Sequence, residues 1–235
     1  MKTIPRAERL IVALDVPSAE AEKSLVQRLG DSTSFYKIGL QLFMADGYFG
    51  LIDWLARQGK KVFVDLKFFD VPETVGAAVR GLRGRGVTFA TVHGNQPILE
   101  AAGKEKGEVK ILAVTALTSL DQGDLEDLGF QCDIQKLVLS RARRALEAGC
   151  DGVISSGLEA PLLKRELGGR LLVVTPGIRP VDNKPVDDQK RTVDVAQAFA
   201  NGADYIVVGR PIRQAADPRA AAEAIQATIA AIFPG

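Results

Sequence analysis

The chain has 235 residues, of which 46% are hydrophobic and 25% are charged, with 30 basic residues against 29 acidic ones. This length and composition allow a large buried core, which excludes a disordered protein and a small scaffold held together by disulfides. The balanced charge excludes a surface built for general binding to nucleic acid or to an anionic membrane. We therefore expect a globular protein whose partner is a small molecule, with no nucleic acid and no membrane among its partners.

The cysteines and the single histidine limit the metal and redox chemistry. Cys132 and Cys150 have no CxxC spacing, and His93 is the only histidine, so no zinc site is recognisable. The first apolar run, residues 10–14, stops at Asp15 and is too short for a signal-peptide core or a membrane span. We predict no metal site and a reducing, cytoplasmic location.

Short aliphatic and β-branched runs alternate with segments of helical spacing along the whole chain. They predict eight strands, at residues 10–14, 35–38, 61–66, 87–92, 109–114, 152–154, 171–174 and 205–208. The segments with helical spacing include residues 19–29, 42–57, 72–83, 134–148, 193–200 and 218–232. Such alternation predicts an α/β fold, a closed (β/α)8 TIM barrel, with residues 1–235 as a single domain. No GxGxxG follows the first strand, which disfavours an open dinucleotide-binding sheet.

Two phrases form a weak internal repeat. The sequence AGCDGVI precedes the sixth strand and NGADYIVVG precedes the eighth, and each places a glycine at a helix end and an aspartate just ahead of a buried strand. There is no Pro-rich or Ser-rich linker at which a second domain would begin.

Charged residues collect where the first strands of the predicted barrel end. The active site of such a barrel lies at the carboxyl ends of its strands. Strand alternation places Asp15, Asp65 and Lys67 opposite the wholly aliphatic faces of their strands, and so inside the barrel mouth. With Lys37 and Asp70 they would crowd several charges into one pocket, which is costly unless they pair and which often marks a site. An inert salt bridge between Asp65 and Lys67 that braces neighbouring strands is the alternative.

The run DLKFFDVPET at residues 65–74 resembles the signature of the orotidine 5'-phosphate decarboxylase family. The resemblance extends over nearly the whole chain and also takes in IVALDVPS with Asp15, YKIGLQLF with Lys37, VTALTS with Thr118, TPGIRP with Arg179, and GADYIVVGRPI with Gly209 and Arg210. These segments occur in the family's order, so that together they are far more specific than any one of them.

The resemblance implies a cofactor-independent lyase of pyrimidine biosynthesis that converts orotidine 5'-phosphate to uridine 5'-phosphate (UMP). It implies that Lys67 is the proton donor and that Asp65 and Asp70 flank it. It also implies that Lys37 and Asp15 hold the ribose, with Lys37 part of the catalytic group. A lysine ammonium suits this chemistry because it both stabilises the carbanion left at C6 and supplies its proton.

The far end of the implied substrate is a phosphate. Gly209 lets backbone N–H groups approach closely and Arg210 offers a planar fork, at the place where barrels often bind phosphate. Within residues 180–190, which we interpret as a mobile loop, Gln189 resembles the family's phosphate-gripping glutamine. Arg179 is a further candidate for substrate binding.

The resemblance also makes predictions about the pyrimidine and about assembly. It implies that Thr118 hydrogen-bonds the pyrimidine, although Thr115 is close enough in sequence to leave that choice open. It further implies that Asp70 and Thr74 reach into the site of a partner subunit, and hence a homodimer with active sites at its interface.

Three other functions fit part of the sequence less well than this decarboxylation does. Magnesium-dependent sugar-phosphate decarboxylases and hexulose phosphate synthases share the Asp-x-Lys-x-x-Asp run but resemble this chain less at Lys37, where they place an acidic residue and where an ammonium would repel Mg²⁺. A Schiff-base aldolase would need Lys67 neutral, whereas adjacent carboxylates keep it protonated. A phosphate-sensing binding protein would not need the charged residues inside the barrel mouth.

We interpret His93 as a packing residue, because Lys67 already supplies the acid.

Overall fold

The computed structural model describes residues 4–179 and 191–234. Eight parallel strands close into a barrel in sequence order, which confirms the predicted TIM barrel. The strands are β1 (Leu10–Ala13), β2 (Phe35–Gly39), β3 (Lys61–Phe68), β4 (Val87–His93), β5 (Lys110–Val114), β6 (Gly152–Ile154), β7 (Leu172–Thr175) and β8 (Tyr205–Val208). Each predicted strand is present, with bounds that shift by two residues at most.

Helices surround the barrel and connect its strands. They are α1 (Ala19–Leu29), α2 (Leu40–Phe43), α3 (Tyr48–Arg57), α4 (Pro72–Arg80), α5 (Gln96–Glu105), α6 (Gln122–Asp127), α7 (Ile134–Glu147), α8 (Ala160–Leu167), α9 (Val195–Ala200), α10 (Arg210–Arg213) and α11 (Pro218–Ile232). The single helix predicted at residues 42–57 is wrong. It is two helices, because Gly47 caps the start of α3 with a left-handed φ of 84°, which glycine adopts without steric cost.

Strand alternation divides the core into two layers. One layer lies between the strands and the helices, and it contains the aliphatic residues of the first and third strands that were predicted to face outward. The other fills the barrel interior, where the rings of Phe35 and Phe89 lie 5.1 Å apart and those of Phe89 and Tyr205 lie 5.2 Å apart. These rings and the aliphatic side chains around them pack the barrel interior below the carboxyl ends of the strands.

The amino ends of the strands carry the first copy of the internal repeat. Asp151, just ahead of β6, accepts hydrogen bonds at its Oδ2 from the backbone N–H of Ile111 at 3.0 Å and from Lys106 Nζ at 2.9 Å. Its own backbone N–H donates to the Ile111 carbonyl at 2.9 Å. The aspartate therefore ties the start of its strand to the start of the strand beside it.

The second copy of the repeat makes the same contacts two strands later. Asp204, just ahead of β8, accepts at its Oδ2 from the backbone N–H of Val173 at 2.8 Å and from Lys164 Nζ at 2.7 Å, and its backbone N–H donates to the Val173 carbonyl at 2.8 Å. The two phrases thus resemble each other in structure as well as in sequence.

Among the helices of residues 4–179 and 191–234, none has both the length and the apolar composition needed to cross a bilayer.

Candidate active site

A cavity of about 550 Å³ opens at the carboxyl ends of the strands. Among the residues singled out from the sequence, it is lined by Asp15, Lys37, Asp65, Lys67, Thr118, Arg179, Gly209 and Arg210. The volume is in the range of pockets that hold small-molecule ligands. The barrel mouth is therefore the candidate active site.

Four charged side chains form a row along one wall of the cavity. Lys37 Nζ lies 3.1 Å from Asp15 Oδ1 and 3.4 Å from Asp65 Oδ2. Lys67 Nζ lies 2.9 Å from the same Asp65 Oδ2. The charges thus alternate in sign from β1 through β2 to β3, and the row ends on the Lys67 ammonium.

The two buried members of the row stay ionised because they neutralise each other. Burial alone would raise the pKa of Asp65, but the ammonium groups of Lys37 and Lys67 outweigh it and hold this pKa below its ordinary value. Burial alone would lower the pKa of Lys37, but the carboxylates of Asp65 and Asp15 outweigh it and raise this pKa. The charges are therefore fixed in place before any substrate arrives.

Thr91 on β4 supports the end of the row, and the sequence analysis missed it. Its hydroxyl donates to Asp65 Oδ1 at 2.9 Å and its Oγ1 accepts from the backbone N–H of Lys67, also at 2.9 Å. The side chain is fully buried. A signal was available, because Thr91 alternates with Phe89 and so lies on the inward face of the strand beside β3.

The backbone at Lys67 is in an unusual conformation. The pairing of β3 with β4 is irregular between Val64 and Phe68, and Lys67 has a φ of 49°. Among the described residues, no other non-glycine residue has a positive φ. Such a conformation costs about 1–3 kcal/mol and persists only where its surroundings hold it, as the Thr91 hydroxyl does here. Bulges and strain of this kind are concentrated at functional sites.

Gly39, at the end of β2, is a second residue that the sequence analysis missed. A Cβ atom built on it would lie 3.2 Å from Lys37 Nζ and 3.6 Å from Asp15 Oδ1. A Cβ atom here would require the Lys37 ammonium to shift by a few tenths of an ångström, so glycine leaves room for the ion pair as it stands.

Three arginines line another part of the cavity. Arg179 follows β7, and Arg210 and Arg213 stand at the two ends of the single-turn helix α10, immediately after Gly209. Arg213 was not among the predicted site residues. One guanidinium group can donate two parallel hydrogen bonds to phosphate oxygens. This region of the cavity therefore suits an anionic group of a ligand.

The structure separates the two threonines that the sequence left as alternatives. Thr115 is fully buried and its hydroxyl donates to the Ile154 carbonyl at 2.8 Å. Thr118 lines the cavity, whereas Thr115 does not. Thr118 is therefore the one whose side chain is placed to meet a ligand.

Two of the predicted site residues that the structure describes lie outside the cavity wall. Asp70 and Thr74 are exposed, and Asp70 Oδ1 accepts from the backbone N–H of Val71 at 2.6 Å. Neither residue lines the cavity, and within the described part of the chain Asp70 forms no ion pair with Lys67. Gln189 lies outside the described residues.

His93 also lies outside the cavity lining. It is half-buried at the end of β4 and packs against the exposed ring of Phe69, with ring centroids 4.6 Å apart. Burial, and after it the positive charges of Arg141 and Lys67, lower the pKa of His93. The side chain supports the loop that carries Phe69 rather than meeting a ligand in the cavity.

Comparison with known proteins agrees with this geometry. The sequence model described as the orotidine 5'-phosphate decarboxylase / HUMPS family matches residues 8–225. Among curated proteins, the orotidine 5'-phosphate decarboxylase of Methylococcus capsulatus is 68% identical over 232 residues, covering 99% of this chain and 96% of that protein. The enzyme of the same name from Xanthomonas euvesicatoria pv. vesicatoria is 52% identical over 230 residues, covering 97% and 94%.

Solved structures give the same result. The crystal structure of orotidine 5'-phosphate decarboxylase from Lactobacillus acidophilus has a TM-score of 0.83 and 36% identity, covering 94% of this chain and 99% of that one. That of the enzyme of the same name from Pyrococcus horikoshii OT3 has a TM-score of 0.74 and 26% identity, covering 94% and 98%. The residues matched by the family model, 8–225, span all eight strands and the positions of the charged row. This chain belongs to the orotidine 5'-phosphate decarboxylase / HUMPS family.

Proposed function

We propose that the chain decarboxylates orotidine 5'-phosphate to UMP in pyrimidine biosynthesis, and that Lys67 delivers the proton that replaces the lost carboxylate. The observation that carries the proposal is the row of alternating charges that ends on the Lys67 ammonium inside the cavity. The relatives named as this decarboxylase, at 68% and 52% identity, support the choice of substrate.

The row explains how one lysine serves the reaction. When CO₂ leaves C6 of the pyrimidine, the bonding electron pair stays on C6, and no adjacent carbonyl or imine delocalises it. An ammonium at C6 stabilises this charge as it develops and then transfers its proton, which leaves UMP, CO₂ and a neutral amine. Asp65, 2.9 Å from Lys67 Nζ, orients that nitrogen before the reaction.

The rest of the cavity suits the rest of the nucleotide. In the proposed binding mode, Asp15 and Lys37 hold the ribose hydroxyls and Thr118 contacts the pyrimidine. Gly209 and Arg210 bind the phosphate, with Arg179 beside them in the cavity wall. The outer part of the phosphate site would also involve Gln189. Binding energy from this remote phosphate is then available to position C6 against Lys67.

Lys37 separates this proposal from the magnesium-dependent members of the same family group. Its ammonium lies between Asp15 and Asp65, within 3.1 and 3.4 Å of their carboxylate oxygens. The ammonium would repel a divalent cation at this position, and the cation could bind only by displacing it. The two carboxylates are thus paired with a lysine, which favours a reaction that uses no divalent metal.

Assembly is the second part of the proposal. Asp70 and Thr74 are exposed, and the loop that carries Asp70 presents Phe69 and Val71 to solvent, 64% and 62% exposed. The helix that follows the neighbouring strand adds further apolar side chains: Leu40, Phe43 and Met44. Apolar side chains grouped in this way mark protein–protein contact surfaces. We propose a cytoplasmic homodimer in which Asp70 and Thr74 complete the partner's site.

The decisive experiment mixes the purified protein with orotidine 5'-phosphate and follows the loss of orotate absorbance. We expect turnover without any added cofactor and formation of one UMP for each substrate consumed, checked by chromatography. Folding is verified by circular dichroism on the same sample. A well-folded protein with no detectable turnover would overturn the proposal.

A further inference from the structure

Arg213 occupies a position in the cavity wall that the proposed function does not use. It is the last residue of α10, and Arg210 is the first, so the two are three residues apart on a single turn. Side chains at this spacing lie on the same side of a helix. Both line the cavity, together with Gly209.

Within the described residues, no counter-charge is paired with Arg213. Its Nε is buried and has no hydrogen-bond partner, and within residues 4–179 and 191–234 its side chain makes no ion pair. Arg191, by contrast, is buried with a salt bridge to Glu159 and donates through Nη2 to the Leu117 carbonyl at 2.9 Å. A partly buried cation without a counter-charge is unfavourable, so proteins usually pair it.

We propose that Arg213 is a further phosphate-binding residue, whose guanidinium holds the 5'-phosphate of the nucleotide together with Arg210. The proposal rests on the proposed function and deepens it. A phosphate dianion has three terminal oxygens and two negative charges, enough to engage two planar guanidinium forks. The anion would supply the hydrogen-bond acceptors and the negative charge that the described part of the chain does not provide. Arg213 then favours ligands that carry the 5'-phosphate over ligands that lack it, and it makes no contact with the pyrimidine.

The test compares two ligands that differ only in the phosphate. Inhibition constants for UMP and for uridine are measured on the purified full-length enzyme, for the wild type and for the variants Arg213→Ala and Arg213→Lys. We expect Arg213→Ala to weaken UMP about 10- to 100-fold, the loss of one charged contact, and to leave uridine unchanged. Arg213→Lys keeps the charge but loses the fork, so its UMP constant should fall between the other two.

Arg57→Ala serves as the matched control. Arg57 is exposed at the end of α3 and does not line the cavity, so its loss removes the same charge from the chain without touching the site. UMP inhibition equal to wild type in Arg213→Ala would overturn the inference. Equal weakening of UMP and uridine would also overturn it, because that pattern indicates a general structural role. Failure of the wild type itself to bind UMP or to turn over substrate would count against the proposed function instead.

Discussion

The backbone N–H of Lys67 donates to the Oγ1 of Thr91 across a distance of 2.9 Å, and this bond holds a lysine whose φ is 49°. The same hydroxyl donates to Asp65 Oδ1. One buried side chain on β4 thus fixes both the backbone of the proposed proton donor and the carboxylate beside it. Its hydrogen bonds run in one direction, from the Lys67 amide through the hydroxyl to the carboxylate.

Thr91→Val should therefore damage catalysis although Thr91 does not line the cavity. The valine leaves the Lys67 N–H and one Asp65 oxygen without partners, at a cost of about 1–3 kcal/mol for each buried group. We expect kcat to fall about 10- to 100-fold with a smaller change in KM, measured by steady-state kinetics. Thr91→Ser keeps the hydroxyl and should retain most of the activity. A Val variant as active as the Ser variant would show that the hydroxyl has no positioning role.

Lys67→Ala should abolish decarboxylation while UMP binding stays largely intact, because the barrel and the phosphate end do not depend on this side chain. Turnover is measured with orotidine 5'-phosphate and binding by calorimetry with UMP. Lys104→Ala, which removes an exposed lysine on α5, is the control and should behave as wild type. Activity within about tenfold of wild type, roughly 1.4 kcal/mol of barrier, would reject Lys67 as the acid.

Metal removal should leave the activity unchanged. The Lys37 ammonium lies between the carboxylates of Asp15 and Asp65 and supplies the positive charge that a divalent cation would otherwise bring. We expect the same kcat/KM before and after exhaustive chelation, and no gain from added Mg²⁺. Loss of activity on chelation followed by recovery with Mg²⁺ would favour the magnesium-dependent chemistry of the family group.

The shared site can be tested by mixing two inactive variants. If Asp70 acts in the partner's site, a dimer of one Asp70→Ala subunit and one Lys67→Ala subunit contains one site with both groups and one with neither. Random reassociation makes half the dimers mixed, so about a quarter of the wild-type activity per site should return. The two variants are dissociated and reassociated together, and each is also treated alone. Mixed dimers that mass spectrometry detects but that show no activity would place Asp70 in its own subunit's site or outside the chemistry.

Glu22 on α1 gives the pH dependence of stability a specific source. The side chain is fully buried, neither carboxylate oxygen has a hydrogen-bond partner among the described residues, and burial raises its pKa from 4.5 to about 7. Because the folded chain holds this proton more tightly than the unfolded chain, stability is greatest below pH 4.5 for this group and falls as the pH rises toward 7. The shift corresponds to a loss of about 3 kcal/mol.

Glu22→Gln should remove this loss. Urea unfolding at pH 5 and at pH 8 should show a gain in the free energy of unfolding over wild type that is larger at pH 8 by about 2–3 kcal/mol. Glu147→Gln changes an exposed glutamate near the end of α7 and should show no such difference. Parallel pH profiles for wild type and Glu22→Gln would mean that Glu22 does not titrate in this range.

The positions of the strands and the inward direction of their charged residues were predictable because both follow from alternation along a buried strand. Asp15, Asp65 and Lys67 lie opposite aliphatic faces, and all three line the cavity. The split of the predicted helix at Gly47 was not predictable in this way, since an isolated glycine is often tolerated within a helix.

The supporting residues were missed for a different reason. Thr91 acts through atoms of β3, so its role depends on which residues of the neighbouring strand lie opposite it, and the local irregularity of that pairing is not encoded in either strand alone. Arg213 lies in a sequence of arginines and prolines that is equally typical of a solvated helix. Only the closure of the barrel places it beside the cavity.

The paired aspartates at the amino ends of the strands fix the stagger of the barrel on the side away from the cavity. Asp151 and Asp204 each hold the first residues of two adjacent strands through both a side chain and a backbone hydrogen bond, so slipping either strand by one residue would break all of them at once. The register of β5 with β6 and of β7 with β8 is therefore fixed at the end of the barrel opposite the cavity. Loops at the opposite rim are then free to diverge in sequence and length while the strands that carry them stay aligned.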